Sequence, residues 1–465
     1  MHYTLDTQIK SEIVLYFISS IDYSQKNNEL YFSIDTFFKQ IGIGEIIHQV
    51  NFKRRTPINP TEFIKWLLTA IFARQSLYRA KEAPAFTTRT VRNFLNDGRI
   101  NWQKFVCLSA SAVIKCLRPF IDSRRCLALI IDDSLFARPY SKSTELLARV
   151  YDHDKHKFLH GYRALTLGWS DANTFLPVNF ALMSSKDPKN ILGPCHNLDR
   201  RSLAGRRRYQ AQSKMNQVAV KLVSQALKHN IPAQYVLFDS WYSSPKMFDQ
   251  IKQLGLDGVG MLKRSAKVYY RYRGCLYSVK GLYERLHSEQ RSPKATYQYG
   301  CVVKSDGGIE LRLVFVRNQR KANNYLVLAT TKVSLRPDEI IQLYGRRWQI
   351  ETYFKAAKQY LRFDKTQVQN YDGLCGHLAI VMMTYDLLAW QEHQEKDERT
   401  IGDLFYIMGE TMPDLRLTDV LVWFIKLLNQ FIESESVTLV KQLNETVDKF
   451  ISSLPQSIAS QLQKA

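Results

Sequence analysis

The chain has no Cys-x-x-Cys pair: its cysteines, at 107, 116, 126, 195, 275, 301 and 375, stand apart and are odd in number. That argues against a disulfide framework and against a thiolate zinc site, and it fits a reducing cytosol. The first residues, MHYTLDTQIKSEIVLYF, include acids and lack a compact apolar region before a small-residue cleavage site, so no secretory leader is expected. The longest apolar run, 378–390, contains Asp386 and is short of the ~20 residues that cross a bilayer. A buried helix and no membrane partner are expected. Internal repeats and low-complexity segments are also lacking. Acids are scarce beside bases: 43 Asp and Glu face 65 Lys and Arg, for a net charge of +22. A surplus of that size concerns partners rather than fold. Nucleic acid is the commonest such partner, because each neutralised phosphate releases condensed counterions.

What is present divides by texture. Residues 1–120 read as helical, with PTEFIKWLLTAIFA (60–73) starting on a proline and carrying an apolar stripe. TTRTVRNFLNDGRINWQKF (87–105) reads as two short helices broken at Asn96-Asp97-Gly98. With Arg89, Arg92 and Arg99 this corner suits a DNA-reading module, and suits an ordinary helical corner equally. Strands follow at 126–133, 158–169 and 174–183. Arg206, Arg207 and Arg208 then lead into a helix over roughly 211–228. AQYVLF (233–238) is a buried strand, SSPKMFDQIKQL (243–254) a helix with a serine cap and Pro245 in its first turn, and DGVGML (257–262) a strand. Strands alternating with helices define an α/β core. Between 263 and 333 apolar and polar residues alternate, which reads as a β-rich insertion. From 335 onward the chain reads as helical.

Chemistry concentrates in RPDEIIQLYGRRWQIETYFKAAKQYL (336–361). Read as one helix, it places Tyr344, Arg347, Glu351 and Lys358 on a single ~60° strip. Leu343, Ile350, Phe354 and Ala357 form the adjoining buried stripe. A functional edge and a plain amphipathic helix both fit this pattern. Asp132 and Asp239 end the apolar runs CLALIID and AQYVLFD, where an open α/β sheet places its chemistry. With Glu351 they make three carboxylates without a His or Cys partner, a hard-ligand set suited to Mg²⁺ or Mn²⁺. Two such ions suit in-line phosphoryl displacement. His153, His156 and His160 raise the thought of zinc, but a strand beginning at 158 separates them.

The helix resembles the Tyr-(2)-Arg-(3)-Glu-(6)-Lys signature of bacterial insertion-sequence DDE transposases of the insertion-sequence-four family. IIDDS and FDSWY resemble its first and second acidic motifs, and the β-rich insertion before the Glu helix is also typical. The resemblance covers about 125–390. It implies an RNase H-like core, two Mg²⁺ ions (or Mn²⁺), cleavage of element ends through a DNA hairpin, strand transfer into target DNA, and a homodimeric synapse. Glu351, Asp239 and Asp132 would bind metal; Asp133 is the alternative at the first motif, and the family's Asp-x-Thr/Ser pattern favours Asp132. Tyr344, Arg347 and Lys358 would hold phosphates, with Tyr242, Arg271 and Arg273 as further DNA contacts. The insertion contains no Trp, so its Lys267-to-Arg273 stretch is the candidate for base stacking, or an ordinary exposed strand.

The expected organisation is therefore a helical DNA-binding domain (1–120), an RNase H-like catalytic core (121–262 and 334–395) split by the insertion (263–333), and a helical C-terminal region (396–465). The location expected is the cytoplasm. The rival readings are a metal-dependent nuclease, or host-retained relative, that cuts without joining, and an inactive DNA-binding protein.

Overall fold

The computed structural model describes residues 33–52, 58–76, 85–152, 156–289, 297, 299–317 and 325–394. The chain forms two compact units, Met1–Gly409 and Glu410–Ala465, and all the described residues lie in the first. The reading of 396–465 as helical therefore falls outside the described residues.

The fold is mixed α/β around a large mixed sheet. Strand β1 (Ala128–Ala137) lies antiparallel to β3 (Lys157–Ser170) and parallel to β5 (Tyr235–Phe238), which is parallel in turn to β6 (Asp257–Met261). The outer edge of β3 carries β2 (Ala148–Asp152) on its first half and β4 (Phe175–Met183) on its second. Past β6 the same sheet continues antiparallel through β11 (Tyr325–Thr330), β10 (Glu310–Arg317) and β9 (Tyr299–Lys304) to the hairpin β7 (Tyr269–Tyr272) and β8 (Cys275–Ser278). An order of β4, β3, β1, β5, β6, with the first strands antiparallel and the rest parallel, is consistent with an RNase H-like core. The strands after residue 263 extend that sheet instead of forming a separate one.

The local chemistry explains these elements. Residues 128–131 and all of β5 are buried, so both are continuous apolar runs, as strands covered on both faces must be. Asp239 ends β5 by accepting the Trp241 N–H on Oδ1 at 2.8 Å. Ser244 then caps the helix Pro245–Gln253 by accepting from Met247 N at 3.2 Å. Gly260 allows β6 to lie close to this corner: a Cβ there would sit 2.3 Å from Ser243 Oγ and 2.5 Å from the Phe238 ring.

Helices α1 (Ile43–Gln49), α2 (Pro60–Phe72), α3 (Thr88–Leu95) and α4 (Trp102–Leu117) precede the sheet. At the Arg89–Arg99 corner the side chains of Arg89 and Arg99 are exposed, and the helix that follows is anchored in the core. Trp102, Phe105, Val106, Ala110, Val113, Ile114 and Leu117 bury α4 in the common core, where it packs on β4 and on a long late helix (Tyr371–Gln394). Arg99 is held by Asp97 at 2.7 Å. The late helix has the length and composition of a membrane span, but 94% of its most apolar window is buried inside the protein.

The helix expected at 211–228 is α6 (Met215–Lys228), and the basic stretch before it forms a helix of its own, α5 (Leu203–Ala211). Arg207 and Arg208 of the basic stretch are buried. Arg207 pairs with Asp372, and Arg208 bridges Glu145 (2.6 Å) and Asp372 (2.9 Å). Between the hairpin and β9 the insertion also holds a helix, Val279–Glu289, whose buried Val279, Leu282 and Leu286 were masked by the flanking alternation.

Candidate active site

The register places two acids side by side. Ile131 pairs with Phe238 at the last position where β1 meets β5, so Asp132 and Asp239 are the residues that follow this pair, close enough for the charge of Asp239 to act on Asp132. Asp132 was expected at the end of its strand. It lies instead mid-strand, because β1 runs on to Ala137 against β3 after its parallel partner has stopped. The carboxyl edge of β5 is thus the edge of a shelf, and Asp132 sits just above it.

The third acid arrives on a helix that is not continuous. The 336–361 segment divides into Pro337–Gly345 and Trp348–Gln359. At the join, Arg346 and Arg347 keep right-handed backbone angles while hydrogen bonds tighten to the i→i+3 pattern: Arg346 N to Leu343 O and Arg347 N to Tyr344 O. Both arginine side chains are drawn onto the sheet. Arg346 donates to the Cys126 carbonyl at 2.7 Å, and Arg347 Nη1 to Asp132 Oδ2 at 3.1 Å. Arg347 Nη2 donates to Glu351 Oε1. Tyr344 presents its ring 5.9 Å from the Arg347 guanidinium. Tyr344, Arg347 and Glu351 are thus contiguous despite the break. Leu343, Ile350, Phe354 and Ala357 are buried beneath them. Lys358, half-buried, lies about two turns beyond Glu351 along the second helix.

The electrostatics are those of crowded acids. Burial raises the Asp132 carboxyl to about 7, with the nearby charges of Asp133 and Asp239 adding to the effect. Burial also raises Asp239, against two backbone N–H donors and Arg347, which favour its charge. A carboxylate that resists ionisation in isolation is one whose charged form a cation would stabilise strongly.

Asp133 is engaged elsewhere. Its Oδ2 accepts from Arg163 Nε and its Oδ1 from the Tyr242 hydroxyl at 2.6 Å. Arg163 stands outside the acidic motifs and the helix signature; a single Arg in the apolar strand FLHGYRALTLGW is the signal that points to a buried acid partner. Tyr242, expected as a DNA contact, has no exposed surface. It is packed between Asp133 and Met215, with its hydroxyl raised far above the usual phenol range by burial and by Asp133. Trp241 is 56% exposed beside Asp239, with the Lys263 ammonium 4.3 Å from its ring.

Arg271 is exposed and lines a groove of about 750 Å³ with Lys246, Lys267, Tyr269 and Lys304. Arg273, also exposed, pairs with Glu289 at 3.4 Å and leans on Tyr272. Of the three histidines near 156, His153 falls outside the described residues, and His156 and His160 are exposed. No group of three or more His, Cys, Asp or Glu is gathered for a metal ion among the described residues. At the acidic site the reason is visible: Arg347 stands between Asp132 and Glu351. The donor chemistry, three carboxylates on two strands and a helix, fits a hard divalent cation once that guanidinium moves.

Residues 61–281 match the family model described as DDE superfamily endonuclease, and residues 207–387 match the model described as transposase DDE domain. The second match defines a phosphoryl-transfer enzyme acting on DNA. The chain carries a DDE transposase domain. No curated protein matches the chain.

Proposed function

We propose that the protein is the transposase of a bacterial insertion sequence of the insertion-sequence-four kind, cutting element ends through a hairpin and joining them to target DNA. The observation that supports it best is Arg347, bonded at once to Asp132 and to Glu351 while Asp132 and Asp239 follow the last paired residues of two adjacent strands. That links the three motifs at one place in the fold. Asp132, Asp239 and Glu351 are the metal ligands in this reading, and Asp133 is a positioning residue fixed by Arg163 and Tyr242. Two divalent cations held there, Mg²⁺ or Mn²⁺, would supply activation of the attacking hydroxyl and stabilisation of the leaving oxygen. Arg347, Tyr344 and Lys358 hold phosphate oxygens of the transposon end, the planar fork of Arg347 taking two of them. The basic groove of Lys246, Lys267, Arg271 and Lys304 holds more of the duplex, with Arg273 at its border. A homodimer brings two ends together, and the protein works dissolved in the cytoplasm. On this reading the chain divides at 120, 262, 333 and 395 into a DNA-binding domain, a split core, an insertion and a C-terminal region.

The experiment is incubation of the purified chain with Mg²⁺ and a labelled duplex ending in the element's own repeats, followed by denaturing and native gels. A hairpin-sized end product and a joined target molecule are expected. End cleavage without any joined product would favour the endonuclease reading instead.

A further inference from the structure

We propose that Arg347 is a gate on the acidic site: it neutralises Asp132 and Glu351 until a DNA phosphate draws it away, so that divalent-cation loading depends on DNA. This rests on reading Asp132, Asp239 and Glu351 as the ligands. The guanidinium binds Asp132 Oδ2 at 3.1 Å with one terminal nitrogen and Glu351 Oε1 with the other. It therefore spans a strand and a helix and takes lone pairs that a cation needs. The side chain is only 17% exposed, so leaving its carboxylates without another anion would strand a charge in a poorly hydrated place.

Its position also provides for release. Nε is buried and has no protein partner, so one donor of the fork is spare while the two terminal nitrogens are in use. A phosphate accepts a guanidinium bidentately and with full charge assistance, which makes it a better partner than two separate carboxylates on different elements. The Tyr344 ring, 5.9 Å away, gives the cation a face to slide along. Arg347 itself sits in the tightened turn between two helices, so its side chain can turn without either helix unwinding. With Arg347 on the carboxylates the site holds a monovalent cation, and with Arg347 on phosphate the three acids are free for divalent ones. Linkage makes the effect reciprocal: DNA strengthens cation binding by the same factor by which the cation strengthens DNA binding.

The test is Mn²⁺ titration of the full chain, followed by the electron paramagnetic resonance signal of free Mn²⁺, with and without a short duplex. Four proteins are compared: unaltered, Arg347→Leu, Arg347→Lys and Glu351→Gln. Without DNA, Arg347→Leu is expected to bind Mn²⁺ roughly tenfold more tightly than the unaltered chain, within the 5–150-fold span of ordinary site coupling. Duplex is expected to tighten Mn²⁺ binding by the unaltered chain far more than by Arg347→Leu. Equal or weaker Mn²⁺ binding by DNA-free Arg347→Leu, at a site still lost in Glu351→Gln, would overturn the gate and leave the ligand assignment standing. Mn²⁺ binding insensitive to Glu351→Gln in every state would overturn both. Should Arg347→Leu lose its native circular dichroism, Arg347→Lys decides: a point charge cannot span both acids, so tighter binding is expected and unchanged binding refutes the gate.

Discussion

Replacing Glu145 with Ala tests the buried ionic cluster that joins α5, the loop before β2 and the late helix. Glu145 is 3% exposed. It accepts from Arg208 Nε at 2.6 Å and Nη2 at 2.8 Å, and from the Tyr371 backbone N–H at 3.0 Å. Removing one partner of a buried pair costs about 3–5 kcal/mol, because the other charge stays buried. Here Arg208 keeps Asp372 at 2.9 Å and the Ala204 carbonyl at 3.1 Å, which places the loss near the lower bound. The Tyr371 N–H is orphaned as well, worth roughly 1–3 kcal/mol on its own. The sum expected is about 4 kcal/mol, seen as a lower urea midpoint with little change in slope. Replacing both residues, Glu145→Leu with Arg208→Met, removes the stranded charge and is expected to recover a large part of that loss. A single variant within about 1 kcal/mol of the unaltered protein would mean that the cluster is not a dry, mutually dependent unit.

Other consequences follow from the same geometry. Asp386 is fully buried with neither oxygen hydrogen-bonded, and burial raises its carboxyl well above the usual range. The folded chain therefore keeps a proton that the unfolded chain releases above pH ~4, so stability falls as pH rises from there. Asp386→Asn is expected to be progressively more stabilising between pH 5 and pH 7, relative to the unaltered chain. A pH-independent difference in urea midpoint would contradict this. Tyr242→Phe is expected to leave equilibrium DNA binding unchanged, to slow cleavage by loosening Asp133, and to cost about 0.5–1.5 kcal/mol of stability. A selective loss of DNA affinity would restore Tyr242 as a contact. DNA binding should weaken steeply with salt, and replacing Arg271 and Arg273 together by Ala should lower the log–log slope by roughly 0.9 for each phosphate that is no longer neutralised. An unchanged slope would remove the insertion from the DNA path.

Much of the sheet was legible because parallel, doubly covered strands leave a plain mark. The runs ALII and YVLF have no polar residue to mislead, and Ser244-Pro245 announces the helix that follows Asp239. What escaped was decided by partners far away in sequence. Arg346 and Arg347 are good helix formers, and nothing nearby marks a join there. It is fixed by the Cys126 carbonyl and Asp132, 220 and 215 residues away. Tyr242 beside an acid looks the same whether it meets DNA or fills a core, and only its packing against Asp133 and Met215 distinguishes the two. The burial of Arg207 and Arg208 is likewise decided by Asp372 and Glu145, far away in sequence. Between Asp132 and Asp133 the local motif favours Asp132, and the hydrogen bonds point the same way. Asp133 is consumed by Arg163 and Tyr242, and Asp132 faces Asp239 and Arg347.

The central claim is that Asp132, Asp239 and Glu351 act together as ligands for catalytic cations. Its most direct test compares the unaltered chain with Glu351→Gln, a change that keeps shape and removes one charge. Cleavage of a duplex bearing the element's ends is measured with Mg²⁺, alongside binding of the same duplex. Both proteins are expected to bind, and only the unaltered one to cut. Equal cutting by both would make Glu351 structural and would contradict the three-carboxylate site.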